Sequence, residues 1–416
     1  MRILHTSDWH LGRTLEGISR INEQAEFIDF LCKKADDEKV DLVIIAGDVY
    51  DTYNPPALAE KLFYEALSML NSNGTRAVLV IAGNHDNPER LCAAGPLVGK
   101  DGIILLGYPS SKADITEISD DTYIDKNVVI KNFDYGMVEL YLKSCGQSAV
   151  ILTLPYPSES RLMELLSKES DEQELQSAFS QKIGYILNSQ SRYYRKDTVN
   201  LVTGHFFVLW GYESDSERTI QVGGSLSVNA SDLPETAQYI ALGHLHRPQS
   251  IKSTKCPAYY SGSPLAYSFS EAEHAKAVYI VDIDPGSEPV VNEVLLNCGK
   301  PLRRWIAEKG VEQVLEWCNM GRDKNCWVDV EIHSDRLLTN EEYRYIREQH
   351  SGIINIRLKT GGETTETGDY ERREDRKIDE LFSEYFRFRT GLDIDEQMLL
   401  AFLEVVNTEP TGDEGN

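Results

Sequence analysis

The hydrophobic residues in the first three-fifths of the chain come in short runs, and several of these runs end at a glycine. Runs of this length that are rich in Val, Ile and Leu are typical of buried β-strands. In four of them the glycine precedes Asp, Asn or His, and we expect it to let the backbone turn sharply. A fifth run, from Arg2 to Ser7, leads directly into an aspartate. The four glycines are Gly47, Gly83, Gly204 and Gly243.

Helical patterns separate the first of these strands. Residues 19–35 place apolar side chains at helical spacing, which predicts a first helix. Residues 55–56 are both proline and begin a second helix, which we expect to end at Asn73 and Gly74. Strand, helix, strand is the order of a βαβ sheet, whose strand ends gather ligands at one edge.

Beyond the first sheet the pattern changes twice. Residues 123–155 alternate between apolar and polar positions, which indicates a meander in a second sheet packed on the first. Residues 158–197 are polar and helical, and we expect them to leave the core until Val199. Further strands are predicted near residues 259–263 and 277–281.

The C-terminal third predicts separate units. Two amphipathic helices predicted within residues 376–416 can pack back on the parent domain or bind a partner helix, and we favour binding of a partner. A helix near 310–318, a strand near 327–332 and a helix near 340–349 predict a small α+β unit. The predicted division is a first domain at 1–285, a small second domain at 286–362, a polar linker at 363–375, and partner-binding helices with an acidic tail at 376–416.

Composition limits the class of protein. With 416 residues, 41% of them hydrophobic, the chain can form a large core. No apolar run approaches the roughly 18 residues that a membrane helix needs. The N-terminus shows no export signal, so we expect a soluble, cytoplasmic protein. The seven cysteines are scattered and form no C-x-x-C pair, which argues against disulfides and a thiolate zinc site.

The formal net charge is −25. Binding to a phosphate backbone depends on Lys and Arg, so this chain alone attracts nucleic acid poorly. Bound divalent cations would offset the charge locally, and a basic partner would offset it over the surface. A well-hydrated, soluble surface explains the charge without either.

Seven side chains at the strand ends are candidate metal ligands. Carboxylates, imidazoles and one amide oxygen suit Mn²⁺, Fe²⁺ or Zn²⁺ better than Mg²⁺ or Ca²⁺. Seven ligands exceed what one small cation holds, so we expect two ions about 3.5–4 Å apart, bridged by Asp48. Any one of these strand-end segments can be a turn or a helix cap. Together, with His85 next to Asn84 included, they hold five of the nine histidines. The candidate ligands are Asp8, His10, Asp48, Asn84, His205, His244 and His246.

This ordered set resembles the calcineurin-like metallophosphoesterase superfamily and, within it, the bacterial SbcD nuclease family. The motifs that carry the resemblance lie in the first two-thirds of the chain, and the region after residue 286 matches only in its layout. The motifs are Asp8-Trp9-His10-Leu11-Gly12, Gly47-Asp48-Val49-Tyr50-Asp51-Thr52, Ser214-Asp215-Ser216-Glu217-Arg218, Gly243-His244-Leu245-His246-Arg247-Pro248-Gln249 and Tyr260-Ser261-Gly262-Ser263-Pro264.

The resemblance assigns roles to individual residues. His85 would stand beside the phosphate without binding metal, and Asp86 would orient it. Archaeal and eukaryotic relatives place a histidine at the position of Asp51, so we carry over no catalytic role there. A first metal would be held by Asp8, His10, Asp48 and His246. A second would be held by Asp48, Asn84, His205 and His244.

The resemblance also implies a fold and an activity. The fold is an α/β, two-sheet sandwich flanked by helices, with a small α+β capping and DNA-binding domain at 286–362 and C-terminal helices. Family members cleave duplex ends and hairpins with Mn²⁺, in DNA repair, replication and recombination. They act with SbcC, an ATPase with a long coiled coil, in a heterotetramer that contains two copies of the nuclease.

Several points stay open at this level. Another phosphodiesterase or phosphatase, acting on a small or protein substrate, would use the same metal centre. The helix at 57–71 is our candidate for the homodimer interface. Arg13, Arg90 and Arg247 lie near the motifs and can contact phosphates or form salt bridges. The pattern does not distinguish the polarity of cleavage or the balance of endonuclease and exonuclease action.

Overall fold

The structure is a computed structural model, and it describes residues 1–112, 126–162, 172–209, 211–212 and 227–359. Two β-sheets form its centre, with helices on their outer faces and a third, smaller sheet. In chain order the strands are β1 (Arg2–Thr6), β2 (Thr14–Leu15), β3 (Ile18–Ser19), β4 (Leu42–Ala46), β5 (Ala77–Ile81), β6 (Ile103–Leu106), β7 (Val128–Asp134), β8 (Met137–Leu142), β9 (Gln147–Leu154), β10 (Thr198–His205), β11 (Tyr239–Gly243), β12 (Gln249–Ser250), β13 (Ala258–Tyr260), β14 (Lys276–Asp282), β15 (Val290–Leu296), β16 (Leu302–Ala307), β17 (Trp327–His333) and β18 (Ile353–Lys359). The helices are α1 (Ile21–Asp37), α2 (Ala57–Asn71), α3 (Pro88–Cys92), α4 (Gly95–Val98), α5 (Glu159–Leu162), α6 (Glu172–Gln190), α7 (Val311–Asn319) and α8 (Asn340–Gln349).

The chain divides into two compact units. The first comprises Met1–His333 with Leu338–Leu358. The second comprises Ser334–Leu337 with Lys359–Asn416, of which only the first segment and Lys359 are described. The predicted linker at 363–375 and the predicted helices at 376–416 therefore lie outside the described residues. Among the residues that the structure describes, every helix is too short or too polar to cross a membrane.

The two large sheets have different topologies. The six-stranded sheet has the order β15-β14-β1-β4-β5-β6. Its strands β1, β4, β5 and β6 are parallel, while β14 and β15 are antiparallel additions at one side. The seven-stranded sheet has the order β12-β13-β11-β10-β9-β8-β7, with the predicted meander as the antiparallel strands β7, β8 and β9. The predicted two-sheet α/β sandwich is confirmed.

The continuous apolar runs are explained by burial on both faces of the first sheet. Alternate side chains of β4 point in opposite directions, as in any strand. Ile44 belongs to the core between the two sheets, together with Leu140 and Leu201. Val43 faces the other way and packs with Phe27 of α1. Because both faces are covered, polar residues do not alternate along this strand.

Helix α6 differs from its predicted role. We expected residues 158–197 to leave the core, because most of their side chains are polar. Instead Phe179, Ile183 and Leu187 are buried and pack on the outer face of the seven-stranded sheet. These three residues are four apart, so they form a narrow apolar stripe on a helix that is otherwise polar.

A smaller α+β unit follows the sandwich. Its sheet has the order β16-β17-β18, and α7 and α8 pack beside it around buried Trp305, Val330 and Ile346. Helix α8 begins at a capping box formed by Thr339 and Glu342. Strand β15 lies after the predicted boundary at residue 285, yet it pairs along its length with β14 of the large sheet. The division at residues 285 and 286 remains a prediction.

Candidate metal centre

The candidate site lies where strands of both large sheets end. Strands β1, β4 and β5 of the first sheet lead into Asp8 and His10, Asp48, and Asn84. Strands β10 and β11 of the second sheet lead into His205, and into His244 and His246. Strand β4 lies against β10 and β11, so the carboxyl ends of the two sheets meet at this point. The structure thus brings all seven predicted ligands together.

One side of the site is formed by Asp8, His10 and His246. Their potential ligand atoms all lie within 4.8 Å of one another, and all three residues are buried. The Nε2 atoms of His10 and His246 are 2.9 Å apart. At this distance one nitrogen can donate a hydrogen to the other, and both nitrogens face the region where a shared ion would be held.

The other side is formed around His205. Its potential ligand atom lies within 4.8 Å of those of Asp8 and Asp48. The Oδ1 atom of Asn84 is 3.0 Å from His205 Nε2 and 3.2 Å from His244 Nδ1. Asp48 Oδ2 lies 3.4 Å from His205 Nε2 and 3.7 Å from His10 Nε2. Asp48 therefore stands between the two sides.

Four of these residues have a left-handed backbone. The φ angles are 54° at Asp8, 46° at His10, 48° at Asp48 and 110° at His244. Residues other than glycine adopt this conformation at a cost, and it recurs at functional sites that the surrounding structure holds in place. Here the Asp8 N–H donates to the Gly47 carbonyl and the His10 N–H donates to the Asp48 carbonyl, each at 3.0 Å.

The glycines at the strand ends allow two things, which are a turn of the backbone and close approach to a neighbouring strand. At Gly47, with φ 93°, the expected sharp turn is present. At Gly83 a Cβ atom would lie 2.1 Å from Asp48 Oδ1, and at Gly243 it would lie 1.8 Å from the Ala46 carbonyl oxygen. These two glycines allow close approach between neighbouring strand ends. The chain bends directly after Gly83 and Gly243, but neither glycine has a positive φ, so close approach is the reason for glycine at these two positions.

Burial governs the ionisation of the carboxylates. Burial raises the pKa of Asp8 to about 8, against the attraction of His205. At Asp48 burial acts in the same direction, but the neighbouring imidazoles of His205 and His85 outweigh it and hold the pKa well below its ordinary value. A divalent cation bound here would replace protons that these buried carboxylates and imidazoles otherwise hold.

The imidazoles are also affected by burial. Burial lowers the pKa of both His10 and His244 to about 3, so each ring is neutral, which is the form that binds metal. Burial opposes protonation of His205 too, but the charge of Asp48 raises its pKa to about 9. The donor set fits divalent cations, because buried oxygen and nitrogen atoms with lone pairs converge on one region.

His85 and Asp86 lie beside this cluster, but not in the predicted relation. The contact that holds the His85 ring is between its Nδ1 and the backbone carbonyl of Asp51, at 2.6 Å. The carboxylate of Asp86 instead accepts hydrogen bonds from the backbone N–H groups of Gly83, Val49 and Tyr50. Asp86 therefore shapes the loop, and the prediction that it orients His85 is corrected.

Three residues near the site had no predicted role. Asp51 Oδ1 lies 3.5 Å from His10 Nδ1. Glu271 Oε1 lies 3.9 Å from His246 Nδ1, and both residues are buried. Arg161 donates to the carbonyls of Gly83 and Asp86, at 2.7 Å each. Asp51 follows Asp48 closely and belongs to a recognised motif, but nothing in the local sequence marks Glu271 or Arg161.

The arginines near the motifs make internal contacts. Arg13 pairs with Asp51 and Arg90 pairs with Glu60, each at 3.2 Å. Arg247 lies over the ring of Tyr212. The salt-bridge alternative is thus present for two of the three, and contact with phosphate remains a prediction. The motif at residues 214–218 lies outside the described residues.

The fold and the donor set define the class as metallophosphoesterase, and the family model described as calcineurin-like phosphoesterase matches residues 1–248. Over 410 residues the chain is 44% identical to the SbcD component of the nuclease SbcCD of Bacillus subtilis (strain 168). The match covers 98% of this chain and 98% of that protein. The chain belongs to the SbcD family of nuclease subunits.

Solved structures with matches include two proteins of low sequence identity. The Thermus thermophilus protein TT1561 is 11% identical, with a TM-score of 0.34, covering 70% of this chain and 98% of that one. A dimetal phosphatase from Danio rerio is 13% identical, with a TM-score of 0.36 and the same two coverages.

Proposed function

We propose that this chain is the DNA-cleaving subunit of an SbcCD-type complex. It hydrolyses phosphodiester bonds at duplex ends and in hairpins, using two Mn²⁺ ions, under the control of the ATPase SbcC. Two copies of the chain and the partner form a heterotetramer that acts in DNA repair, replication and recombination in the cytoplasm. The name of the relative that is 44% identical, a subunit of a two-protein nuclease, supports this proposal.

The observation that carries the proposal is the convergence of seven donor side chains around Asp48. Its carboxylate lies 3.4 Å from His205 on one side and 3.7 Å from His10 on the other. We assign Asp48 as the ligand shared by both ions. The first ion would also be held by Asp8, His10 and His246. The second would also be held by Asn84, His205 and His244.

When bound, such ions neutralise the non-bridging oxygens of a phosphate and acidify water. The chain itself supplies a group for the leaving oxygen. The carbonyl of Asp51 can only accept, so His85 Nδ1 carries a hydrogen toward it. Nε2 of His85 is then the atom that gives a proton to the leaving sugar oxygen. Asp86 contributes by holding the loop that bears His85.

The net charge of −25 favours a complex over an isolated nuclease. A duplex attracts basic surfaces, and this chain has an excess of acidic residues. The partner ATPase is the proposed source of the missing positive surface. The small α+β unit beside the sandwich is the proposed platform for duplex DNA.

One assay tests this function. Purified chain is incubated with Mn²⁺ and a DNA hairpin, a cyclic nucleotide or a phosphopeptide, with and without SbcC and ATP. We expect cleavage of the hairpin, with turnover that depends on the partner and ATP. Faster turnover of the cyclic nucleotide or the phosphopeptide than of the hairpin would overturn the proposal and favour a small-substrate phosphodiesterase or a phosphatase.

The variant His85→Ala tests the chemical step in the same assay. We expect kcat to fall roughly 10²–10⁴-fold, the usual contribution of a general acid. The number of Mn²⁺ ions per chain, measured by elemental analysis after dialysis, should not change, because His85 is not a ligand in this assignment. Loss of bound Mn²⁺ would show that His85 holds metal instead.

A further inference from the structure

We propose that Glu271 is a positioning residue for the metal ligand His246. After a small rotation its buried Oε1 atom accepts a hydrogen bond from Nδ1–H of His246, which directs the lone pair on Nε2 of that ring toward a metal ion. The proposal rests on the metal centre assigned above. It adds a residue 25 positions after His246 in the chain, in a segment that none of the recognised motifs covers.

The first observation is the burial of both groups. Glu271 has no exposed surface and His246 is 1% exposed. Glu271 Oε1 makes no hydrogen bond to any residue that the structure describes, and it faces His246 Nδ1 at 3.9 Å. A buried carboxylate oxygen without a donor is costly, so a small rotation that brings Nδ1–H to it is favourable.

The second observation is the way Lys276 fixes the carboxylate. The ammonium group of Lys276 contacts three acceptors, which are the His246 carbonyl at 3.0 Å, Ser263 Oγ at 2.8 Å and Glu271 Oε2. An ammonium group has three hydrogens and no lone pair, so its donors are fully used. Lys276 therefore holds Oε2, and this leaves Oε1 turned toward His246.

The orientation of the proton on His246 decides whether the ring can bind metal. A neutral imidazole carries one N–H, and the other nitrogen is the ligand. Nε2 of His246 lies 2.9 Å from His10 Nε2, inside the cluster of candidate ligands. An acceptor at Nδ1 places the hydrogen there and presents the Nε2 lone pair to the ion.

His205 shows the same arrangement with a different acceptor. Its Nδ1 lies 2.8 Å from the Ala46 carbonyl, which can only accept, and its Nε2 faces Asn84 and Asp48. The backbone of β4 provides this acceptor for His205. At His246 the side chain of Glu271 takes the place of such a carbonyl.

The test is the variant Glu271→Gln, which keeps the shape of the side chain. Lys276 can only donate, so the amide oxygen of the glutamine must face it and the amide NH₂ must face His246. This reverses the hydrogen bond and moves the hydrogen of His246 to Nε2. We expect affinity for Mn²⁺, measured by equilibrium dialysis with elemental analysis, to fall roughly 10- to 100-fold.

Two variants serve as controls. In Glu271→Gln combined with Lys276→Met, the amide can turn its oxygen to His246, and we expect part of the Mn²⁺ affinity to return. Glu139 is another buried glutamate paired with a cation, at 2.7 Å from Arg195, and it lies outside the metal centre. Glu139→Gln should leave Mn²⁺ affinity unchanged. Wild-type affinity in Glu271→Gln would overturn the proposal.

A spectroscopic measurement decides the question if the variants fold poorly. Imidazole ¹⁵N shifts of the metal-free wild-type chain report the tautomer of His246, whose signal is identified by its loss in His246→Asn. A hydrogen on Nδ1 supports the proposal, and one on Nε2 overturns it. Neither readout involves DNA, so a chain that passes both tests yet cleaves no hairpin would contradict the proposed function alone.

Discussion

At the scale of the residue, most functional side chains are held by a second polar group. The His205 ring donates to the Ala46 carbonyl, and the His85 ring contacts the Asp51 carbonyl. The carboxylate of Asp86 accepts three backbone N–H groups. Such contacts fix the orientation of a candidate metal ligand or of the proposed acid before substrate binds. This preorganisation is the main contribution that a protein makes to a metal-dependent site.

His5 illustrates a buried histidine with no predicted chemistry. Its ring lies between the Tyr239 hydroxyl at 3.0 Å and the Leu242 carbonyl at 3.1 Å, and it has no exposed surface. Burial lowers its pKa from 6.5 to about 3. The ring therefore stays neutral in the fold.

This shift predicts a dependence of stability on pH. Between pH 6.5 and 3 the unfolded state takes up a proton at His5 that the folded state does not, so stability falls as pH falls. The variant His5→Gln can keep both hydrogen bonds and does not titrate. We expect the stability advantage of the wild type over it to shrink by about 2 kcal/mol from pH 7 to pH 5.

Urea unfolding of both chains in the presence of a chelator measures this difference. The comparison cancels the other titrating groups, because they are common to both chains. The metal must be removed, since it competes with protons for the neighbouring ligands. An advantage that stays constant between the two pH values would contradict the buried, neutral state of His5.

At the scale of the element, the strand ends of two separate sheets form one site. Strand β4 contributes Asp48 from the first sheet, and β10 contributes His205 from the second. The two sheets come close enough because Gly83 and Gly243 have no side chain where a Cβ would meet Asp48 and Ala46. A methyl group at either glycine would push the strand ends apart and separate the ligands.

A second contact between elements joins the small α+β unit to the sandwich. Trp327 of β17 donates from its indole N–H to Glu23 Oε1 of α1, at 2.8 Å. The same carboxylate accepts two hydrogen bonds from Arg20, at 2.7 and 2.8 Å. All three residues are almost fully buried. A hydrogen bond to a buried, paired charge is stronger than one between neutral groups.

The variant Trp327→Phe tests this joint. It removes one hydrogen bond to a buried charge, and we expect a loss of roughly 1.5–3 kcal/mol in the free energy of unfolding. Amide hydrogen exchange in the first turn of α1 should become faster, because Glu23 loses its contact with β17. Chemical denaturation and exchange followed by mass spectrometry measure the two effects.

Trp305→Phe is the matched control. Trp305 also donates its indole N–H to a carboxylate, that of Asp323 at 2.8 Å, but both residues lie within the small unit. Its loss should destabilise that unit without changing exchange in α1. Equal effects of the two variants on α1 would show that Trp327 does not join the two parts.

At the scale of the whole molecule, the strongly acidic chain carries a site for a strongly acidic substrate. Divalent cations would balance the charge within the site, since the donor set is built from carboxylates, imidazoles and an amide oxygen. They do not balance the surface, where the net charge is −25. The proposed partner would supply the basic surface, and the predicted helices at 376–416 would hold that partner.

Deleting residues 376–416 distinguishes the two roles predicted for these helices. If they bind SbcC, the shortened chain should fail to co-elute with SbcC in size-exclusion chromatography, while its thermal stability and Mn²⁺ content stay close to those of the full chain. If they pack on the parent domain, complex formation should persist and the melting temperature should fall. The full chain with the same partner is the control.

The local sequence predicted most strands of the two large sheets, the longer helices and the candidate metal ligands. Buried strands show as apolar runs because both faces are covered, and helix α8 shows through its spacing and its cap. These residues were proposed as ligands because ligands bind at strand ends in open α/β folds, and four of the five strand ends carry a metal-binding side chain next to a glycine.

The groups that support the candidate ligands depend on tertiary packing. Glu271 meets His246, Arg161 meets the loop of Gly83, and the Asp51 carbonyl meets His85 through folding of distant segments. None of these contacts has a fixed spacing along the chain, because the distance between two side chains in space depends on how whole sheets pack. The same reason explains α6, whose polar sequence conceals a stripe that the second sheet covers. Local pattern determines elements and candidate chemistry, whereas the packing of elements determines which partner each group receives.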